Sequence, residues 1–458
     1  MLSAEGEFIY FSPARSGLNT QNSELGTQNS ALRTRQHSAL STQHSELSTR
    51  QGSGLITMEE MDARIAFVVK LGGALHRYGA STHRLEEAMN LVLRRLGVGG
   101  HFFSMPTGIF ASFGRPEEQR TTLIRTKPEE VNLEKLALLD ELVRGVIAGR
   151  VGAVEGNPRV DEICSAPSRY GPMLTAICFG LLSGAASRFF GGGWREAVVS
   201  TAIGLVLGAL SFVMGRMGDT RRVFEPVASV IAAGLAVVTA QYVSPLSVYI
   251  TTLSGLIVLV PGLTLTTAVT ELATRDLVSG TARLMGAGLI FLEIAFGVAL
   301  GWQVTKLLPA SLASAPAPLG WFTFGLALIL SPLALSVLLR AHPRDVGWIL
   351  LAGATGVGGF RAGALVLGPE LGTLIGALLV AAGSNLYARR FNRPSAVPQV
   401  PGIILLVPGS IGFGSLSRFI ERDVVSAIET AFNMGLIAIA LVTGLLVANL
   451  IVPPRKAL

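Results

Sequence analysis

From Pro172 onward the chain is a succession of apolar runs close to twenty residues long, joined by short segments that hold most of the charge. About twenty residues at a 1.5 Å rise cover a hydrocarbon core of roughly 30 Å. In lipid every backbone amide must find a partner within the protein, and an apolar run of this length meets that demand as a helix. Runs near 172–190, 196–214, 224–243, 246–268, 284–306, 319–339, 346–366, 370–388, 399–417 and 428–452 predict ten spans, five before Ala310 and five after, with 399–417 interrupted by Pro401 and Pro408. The composition agrees: only 15% of residues are charged and the mean hydropathy is +0.53, against about 25% charged in soluble domains.

Within these runs one stretch occurs twice. Leu259–Ser279, LVPGLTLTTAVTELATRDLVS, returns as Leu406–Ser426, LVPGSIGFGSLSRFIERDVVS, and Pro408 − Pro261, Asp423 − Asp276 and Ser426 − Ser279 all give 147. Each copy places a Pro-Gly break inside an apolar run and an Arg-Asp pair about four turns later. Helices broken at matching points of two halves point to the binding site of a transporter. A Pro-Gly that merely ends a helix in a loop is the plainer alternative. With an odd number of spans per half, tandem copies face opposite ways, so the expected fold is predominantly α: a polytopic membrane protein of about ten helices in a 5+5 inverted repeat, preceded by a small soluble α+β domain. The boundaries read 1–57, 58–169, 170–310 and 311–458.

The net charge of +7 is no sign of a nucleic-acid partner. Residues 1–57 hold 4 basic and 4 acidic side chains, 58–169 hold 15 and 15, and 170–458 hold 18 and 11, so the whole excess lies in the apolar part. With residue 169 in the cytoplasm, twelve loop cations fall inside (Arg216, Arg221, Arg222, Arg275, Arg283, Arg340, Arg344, Arg389, Arg390, Arg393, Arg455, Lys456) and six outside (Arg188, Arg195, Lys306, Arg361, Arg418, Arg422). That bias puts the N-terminal domain and the C-terminus in the cytoplasm, the protein in the inner (cytoplasmic) membrane, and the first Pro-Gly break nearer the inner face than the second.

Residues 1–57 repeat at about seven residues (NTQNSEL, GTQNSAL, RTRQHSAL, STQHSEL, STRQGSGL) with one consistent apolar position per unit, too few for a coiled coil. Their Ser/Thr/Gln/Asn composition predicts disorder, and helical periodicity starts only at Met58 or Met61, the candidate true starts. In 58–169, Ile65, Val68, Val69, Leu71 and Leu75 predict one amphipathic helix, and Leu85, Met89, Val92 and Leu96 a second, with Ser81 and Thr82 as its caps and Gly97 as its stop. Phe102–Phe113 and Thr121–Thr126 read as strands around a polar turn, and Leu133–Ile147 as a further helix.

The candidate substrate-binding residues are Pro261, Gly262, Thr264, Thr266, Thr267, Pro408, Gly409, Ser410 and Asn433. The breaks free backbone groups, and the threonine hydroxyls suit the ammonium and carboxylate of a small amino acid, unless they bond their own helix. Glu293, deep in LIFLEIAFGVAL, is the sharpest candidate for a proton carrier, with an arginine-paired structural role as the alternative. Glu271, Asp276, Asp423 and Glu429 lie nearer span ends, and Glu429 and Asn433 share a face at i, i+4. Cys164 and Cys178 predict neither a disulfide framework nor a zinc site. His76, His83 and His101 form no His-Glu-x-x-His, no phosphate loop is present, and no cofactor or enzymatic function is expected.

YGASTHRLEEAMNLVLRRLGV, followed by FFSMPTGIFASFG and TTLIRT, resembles the cytoplasmic domain of the threonine/serine exporter family. VPGLTLTTAVTELATRDLVSGTARL resembles that family's first Pro-Gly region and QVPGIILLVPGS the counterpart in its C-terminal half. Where many members have Pro and Asn after the first Pro-Gly, this chain has Thr264 and Thr267, and Glu271 stands where many have Asp. The resemblance covers about residues 60–452. It implies a ten-span secondary transporter, an antiporter exporting threonine and serine on the proton gradient. Its partners would be a small amino acid, protons and the bilayer; assembly as a homo-oligomer stays open. Export of small dicarboxylates such as succinate, using Arg275, Arg283 or Arg361, is the alternative within transport. A membrane-anchored hydrolase acting through 58–169 is the alternative outside it, and a passive channel a further one.

Overall fold

The computed structural model describes residues 58–114, 116–126, 131–217, 223–305, 316–317 and 319–454. The seven-residue repeats of 1–57, the expectation of disorder there, and the loop cations Arg221, Arg222, Lys306, Arg455 and Lys456 lie outside them.

The N-terminal α+β segment follows from its apolar periodicities. Helix α1 (Met58–Arg77) turns Phe67, Val68, Leu71 and Leu75 inward, and α2 (Thr82–Leu96) turns Leu85, Met89, Val92 and Leu93 to the same core. Gly97 ends α2 at φ 68, a left-handed stop that favours glycine, as expected. The expected strand over Phe102–Phe113 is instead two strands, β1 (Gly100–Met105) and β2 (Gly108–Phe113), paired Met105↔Gly108. Pro106-Thr107 forms a two-residue turn inside what reads as one apolar run. Strand β3 (Arg120–Arg125) completes an antiparallel sheet in the order β1-β2-β3.

Helix α3 (Leu133–Ile147) matches its expected bounds, and α4 (Ala153–Ser165) was not foreseen. Gly156 of α4 sits so close to α1 that a Cβ there would lie 2.6 Å from the Phe67 ring. Two first-turn amides of α3 seat the segment on the apolar helices. Leu133 and Glu134 N–H donate to the carbonyls of Leu339 (3.0 Å) and Arg340 (3.2 Å) just after α11. Free donors of one helix start thereby satisfy free acceptors of another helix end.

The apolar part comprises α5 (Pro172–Phe189), α6 (Trp194–Gly215), α7 (Phe224–Tyr242), α8 (Val248–Gly255), α9 (Gly262–Ala273) and α10 (Leu277–Thr305). Then come α11 (Trp321–Leu338), α12 (Val346–Leu367), α13 (Pro369–Phe391), α14 (Ala396–Ile404), α15 (Gly409–Ile420) and α16 (Val424–Ile451). Among the described residues nine helical stretches are long and apolar enough to cross a membrane, the α14–α15 pair counted as one. The expected span 246–268 is not a continuous helix. It is α8 and α9, parted by the turn before Pro261, because Pro261 has no N–H to donate and Gly262 N–H instead reaches back to Val260 O at 2.7 Å.

The repeated stretch repeats as backbone. Helices α9 and α15 each have 12 residues, with 409 − 262 and 420 − 273 both equal to 147. Pro261 (φ −77, ψ 47) and Pro408 (φ −77, ψ 34) hold nearly the same conformation before them. After them Arg275 and Arg422, again 147 apart, turn the chain at φ 69 and φ 68. Helix α9 packs on α16 and α10 on α15, while α5 meets α11.

Candidate functional site

The site begins at the two Pro-Gly breaks, which lie side by side. A Cβ added to Gly262 would lie 2.8 Å from Val407 Cγ1, and one added to Gly409 would strike Val260 Cγ1. Val407 and Val260 are themselves 147 apart, so the contact is reciprocal, as across a two-fold axis. The two breaks are therefore in direct contact with each other. Only glycine lets the chains approach this closely. Beside the crossing, Leu265, Ala287 and Phe291 form an apolar wall with Val260, Val269, Leu416 and Met434.

Pro261, Gly262, Pro408 and Gly409 are all buried there. Thr266 and Thr267 hydroxyls donate to their own helix, to Gly262 O (3.0 Å) and Leu263 O (2.9 Å), which is the plainer of the two readings their sequence allowed. Each keeps its lone pairs for a further donor. Thr264, Ser410 and Asn433 are half-buried. Glu293 sits two residues past Phe291 in the middle of α10, half-buried, and has no hydrogen bond or ion pair to the described residues. More deeply buried carboxylates are engaged. Glu196 accepts the N–H groups of Gly193 and Ser247, each at 2.9 Å, and Asp345 accepts from Tyr387 and Arg393.

The remaining acidic candidates lie away from the crossing. Asp276 accepts Thr274 Oγ1 at 3.0 Å, Asp423 caps α16 by accepting Ser426 N–H at 3.3 Å, and Glu429 is exposed. Glu271, at the end of α9, is 2% exposed and ion-paired to Arg283 Nε at 3.0 Å. Ser279 Oγ donates to the same carboxylate at 2.8 Å. Thr82 Oγ1 is 3.0 Å from Ser279 Oγ, and Thr82 N–H approaches Glu271 Oε1 at 3.4 Å. Ser81 and Thr82 thus do not serve as side-chain caps of α2. Ser81 makes no cap bond, and Thr82 turns to the membrane helices.

The same repeat positions form a second cluster, with a cation where the first has its carboxylate and no charge where the first has its arginine. Adding 147 to Glu271, Ser279 and Arg283 gives Arg418, Ser426 and Thr430, and Arg418 Nη1 donates to Thr430 Oγ1 and to Ser426 O. This cluster is open, with Arg418 exposed. Sequence reading missed its pairing, although the offset applied to Glu271 lands on Arg418. It also missed Thr82 and Arg84 as contacts, for which no local signal exists. Of the cations considered for a dicarboxylate, Arg283 is held by Glu271, Arg361 stacks over Phe324 at 3.6 Å, and Arg275 is exposed in its turn.

In the α+β segment His76 Nε2 donates to Met105 O at 2.7 Å, its Nδ1 has no hydrogen-bond partner among the described residues, and burial pushes its pKa below the usual imidazole value. His83 and His101 are exposed. Among the described residues no group of three or more His, Cys, Asp or Glu is placed to hold a metal ion.

Long apolar helices, two of them broken and crossing at their breaks, define a multi-pass membrane protein built in the manner of transporters. Residues 66–305 match the threonine/serine exporter family model ThrE, and residues 325–451 match the companion threonine/serine exporter model ThrE_2. The chain belongs to the threonine/serine exporter family. It is 29% identical over 361 residues to pheromone-regulated membrane protein 10 of Candida albicans (strain WO-1), covering 76% of this chain and 33% of that protein. With the protein of the same name from Saccharomyces cerevisiae (strain YJM789) it shares 28% over 364 residues, 76% of this chain and 46% of the relative. The match thus spans a third to a half of these relatives' length. No solved structure matches significantly.

Proposed function

We propose that this protein exports small polar amino acids, threonine and serine, across the cytoplasmic membrane by proton-coupled alternating access, as an antiporter. Two five-helix halves, 170–310 and 311–458, would form an inverted repeat of ten spans, preceded by a cytoplasmic domain over 58–169.

The observation that carries this reading is the reciprocal Gly262–Val407 and Gly409–Val260 contact. Two equivalent broken helices meeting at their breaks suit a site that is exposed to each side in turn. The inversion has its own support. The end of α9 (Glu271) and the start of α14 (Ser395) both touch α2 of the N-terminal segment. The middle of α15, by contrast, lies against the start of α8, where a Cβ on Gly414 would be 3.0 Å from Tyr249 Oη. These contacts support a scheme in which the two broken pairs run in opposite directions. The placing of Arg283 and Arg361 favours an amino acid over a dicarboxylate, because those cations already have partners.

Glu293 is the proton carrier in this scheme, being a carboxylate at mid-helix without a protein partner among the described residues. Efflux of preloaded labelled threonine from cells lacking their own exporters should be saturable and sensitive to an uncoupler. Glu293→Gln should reduce the gradient-driven component to background while the protein stays folded and in the membrane. Unchanged coupling in that variant removes Glu293 from the mechanism. Succinate efflux without threonine efflux would replace the substrate assignment.

A further inference from the structure

The first turn of α2 touches the same-side ends of both broken helix pairs. Thr82 reaches the α9–α10 hairpin through Ser279 and Glu271. Arg84, two residues on, donates from Nη1 to Ser395 Oγ at 2.8 Å, and Ser395 is the residue that starts α14. Ser395 is 1% exposed, and the neighbouring Ala396 packs on the apolar core of the α+β segment. One helical turn therefore bridges the two halves across the axis on which the Pro-Gly breaks cross.

The equivalent hairpin, α15–α16, has no such bridge among the described residues. It carries Arg418, Ser426 and Thr430 at the positions of Glu271, Ser279 and Arg283, with Arg418 exposed. The first cluster is built for a contact that the second one lacks. Glu271 is a buried anion that accepts from the start of α2, where free backbone donors favour negative charge. Arg418 in that position would repel the same helix start.

The attachment also has two grades. Backbone bonds from Leu133 and Glu134 to Leu339 and Arg340 seat the segment on α11. Side chains and one long N–H contact hold α9–α10, so that junction is the one that parts at least expense in buried backbone bonds.

We propose that the first turn of α2 is a latch. Thr82 on Glu271–Ser279 and Arg84 on Ser395 hold the segment-side ends of the two broken pairs together. Opening the site to that side requires Thr82 to leave Ser279 while α3 stays seated on α11. The latch as a step in transport rests on the exporter reading; the contact and its release do not.

The test is a reversible covalent latch, Thr82→Cys with Ser279→Cys, in a full-length protein whose Cys164 and Cys178 are replaced by Ser. The two hydroxyl oxygens are 3.0 Å apart, within reach of a disulfide if the Cβ atoms stand about 3.5–4.5 Å apart. In proteoliposomes oxidation should lower threonine flux about tenfold or more, equivalent to at least ~1.4 kcal/mol, and a reductant should restore it. Flux that is equal in the oxidised and reduced states overturns the latch. A second arm needs no substrate: hydrogen exchange of 262–285 in Thr82→Val and Thr82→Ser. The proposal expects Val to speed exchange there about tenfold, Ser to resemble the parent, and the α1 core at Val68–Leu75 to stay protected. Equal exchange in all three proteins overturns it. If the uncrosslinked parent carries no threonine, the exporter reading has failed, and the exchange arm still decides the latch.

Discussion

Replacing Gly262 or Gly409 by Leu is expected to abolish transport, each from its own copy of the repeated stretch, because each glycine faces a valine of the other copy with no room for a side chain. The sharper form uses alanine. A Cβ on Gly262 falls 2.8 Å from Val407 Cγ1, and overpacking of this kind costs about 1–3 kcal/mol, so Gly262→Ala should slow transport roughly tenfold or more. Val407→Ala removes the struck methyl and should restore most of the rate. Val260→Ala should do the same for Gly409→Ala. The crossed combinations, Gly262→Ala with Val260→Ala and Gly409→Ala with Val407→Ala, should not rescue. Coupling of about 0.5–3 kcal/mol confined to the reciprocal pairs is the expected outcome of the cycle. Rescue by either valine indiscriminately would remove the two-fold reading of the crossing.

Arg283→Ala is expected to be among the most destabilising single changes in the apolar part. It leaves Glu271, 2% exposed, without its cation, and stripping one partner from a buried pair costs about 3–5 kcal/mol. Glu271→Gln together with Arg283→Ala should be markedly milder than Arg283→Ala alone, since no uncompensated charge then stays buried. Unfolding midpoints of the detergent-solubilised protein check the order. If the double variant is as unstable as the single one, the pair matters through packing and not through charge. At the equivalent positions of the second copy Thr430→Ala should cost little, because Arg418 there is exposed.

Much of the helical layout was legible along the chain. The bounds of α3, the left-handed stop at Gly97 and most spans follow from apolar length, periodicity and backbone hydrogen bonding, which are local demands. The 147-residue offset was also legible, and it reappears as equal helix lengths and paired left-handed arginines. The Phe102–Phe113 hairpin was not, because a two-residue turn at Pro106-Thr107 hardly disturbs the apolar pattern.

The sequence by itself determined a multi-pass helical protein with two equivalent Pro-Gly breaks, since chain length in lipid and the missing proline N–H act wherever those residues stand. Tertiary structure alone decided that the breaks touch, that Glu271 is paired and not free, and that Thr82 reaches a membrane helix where it reads as a cap. Thr82 and Glu271 are 189 residues apart, and Arg84 and Ser395 are 311 apart. Contacts at such separations depend on how whole helices pack against one another, which no local pattern in the chain specifies.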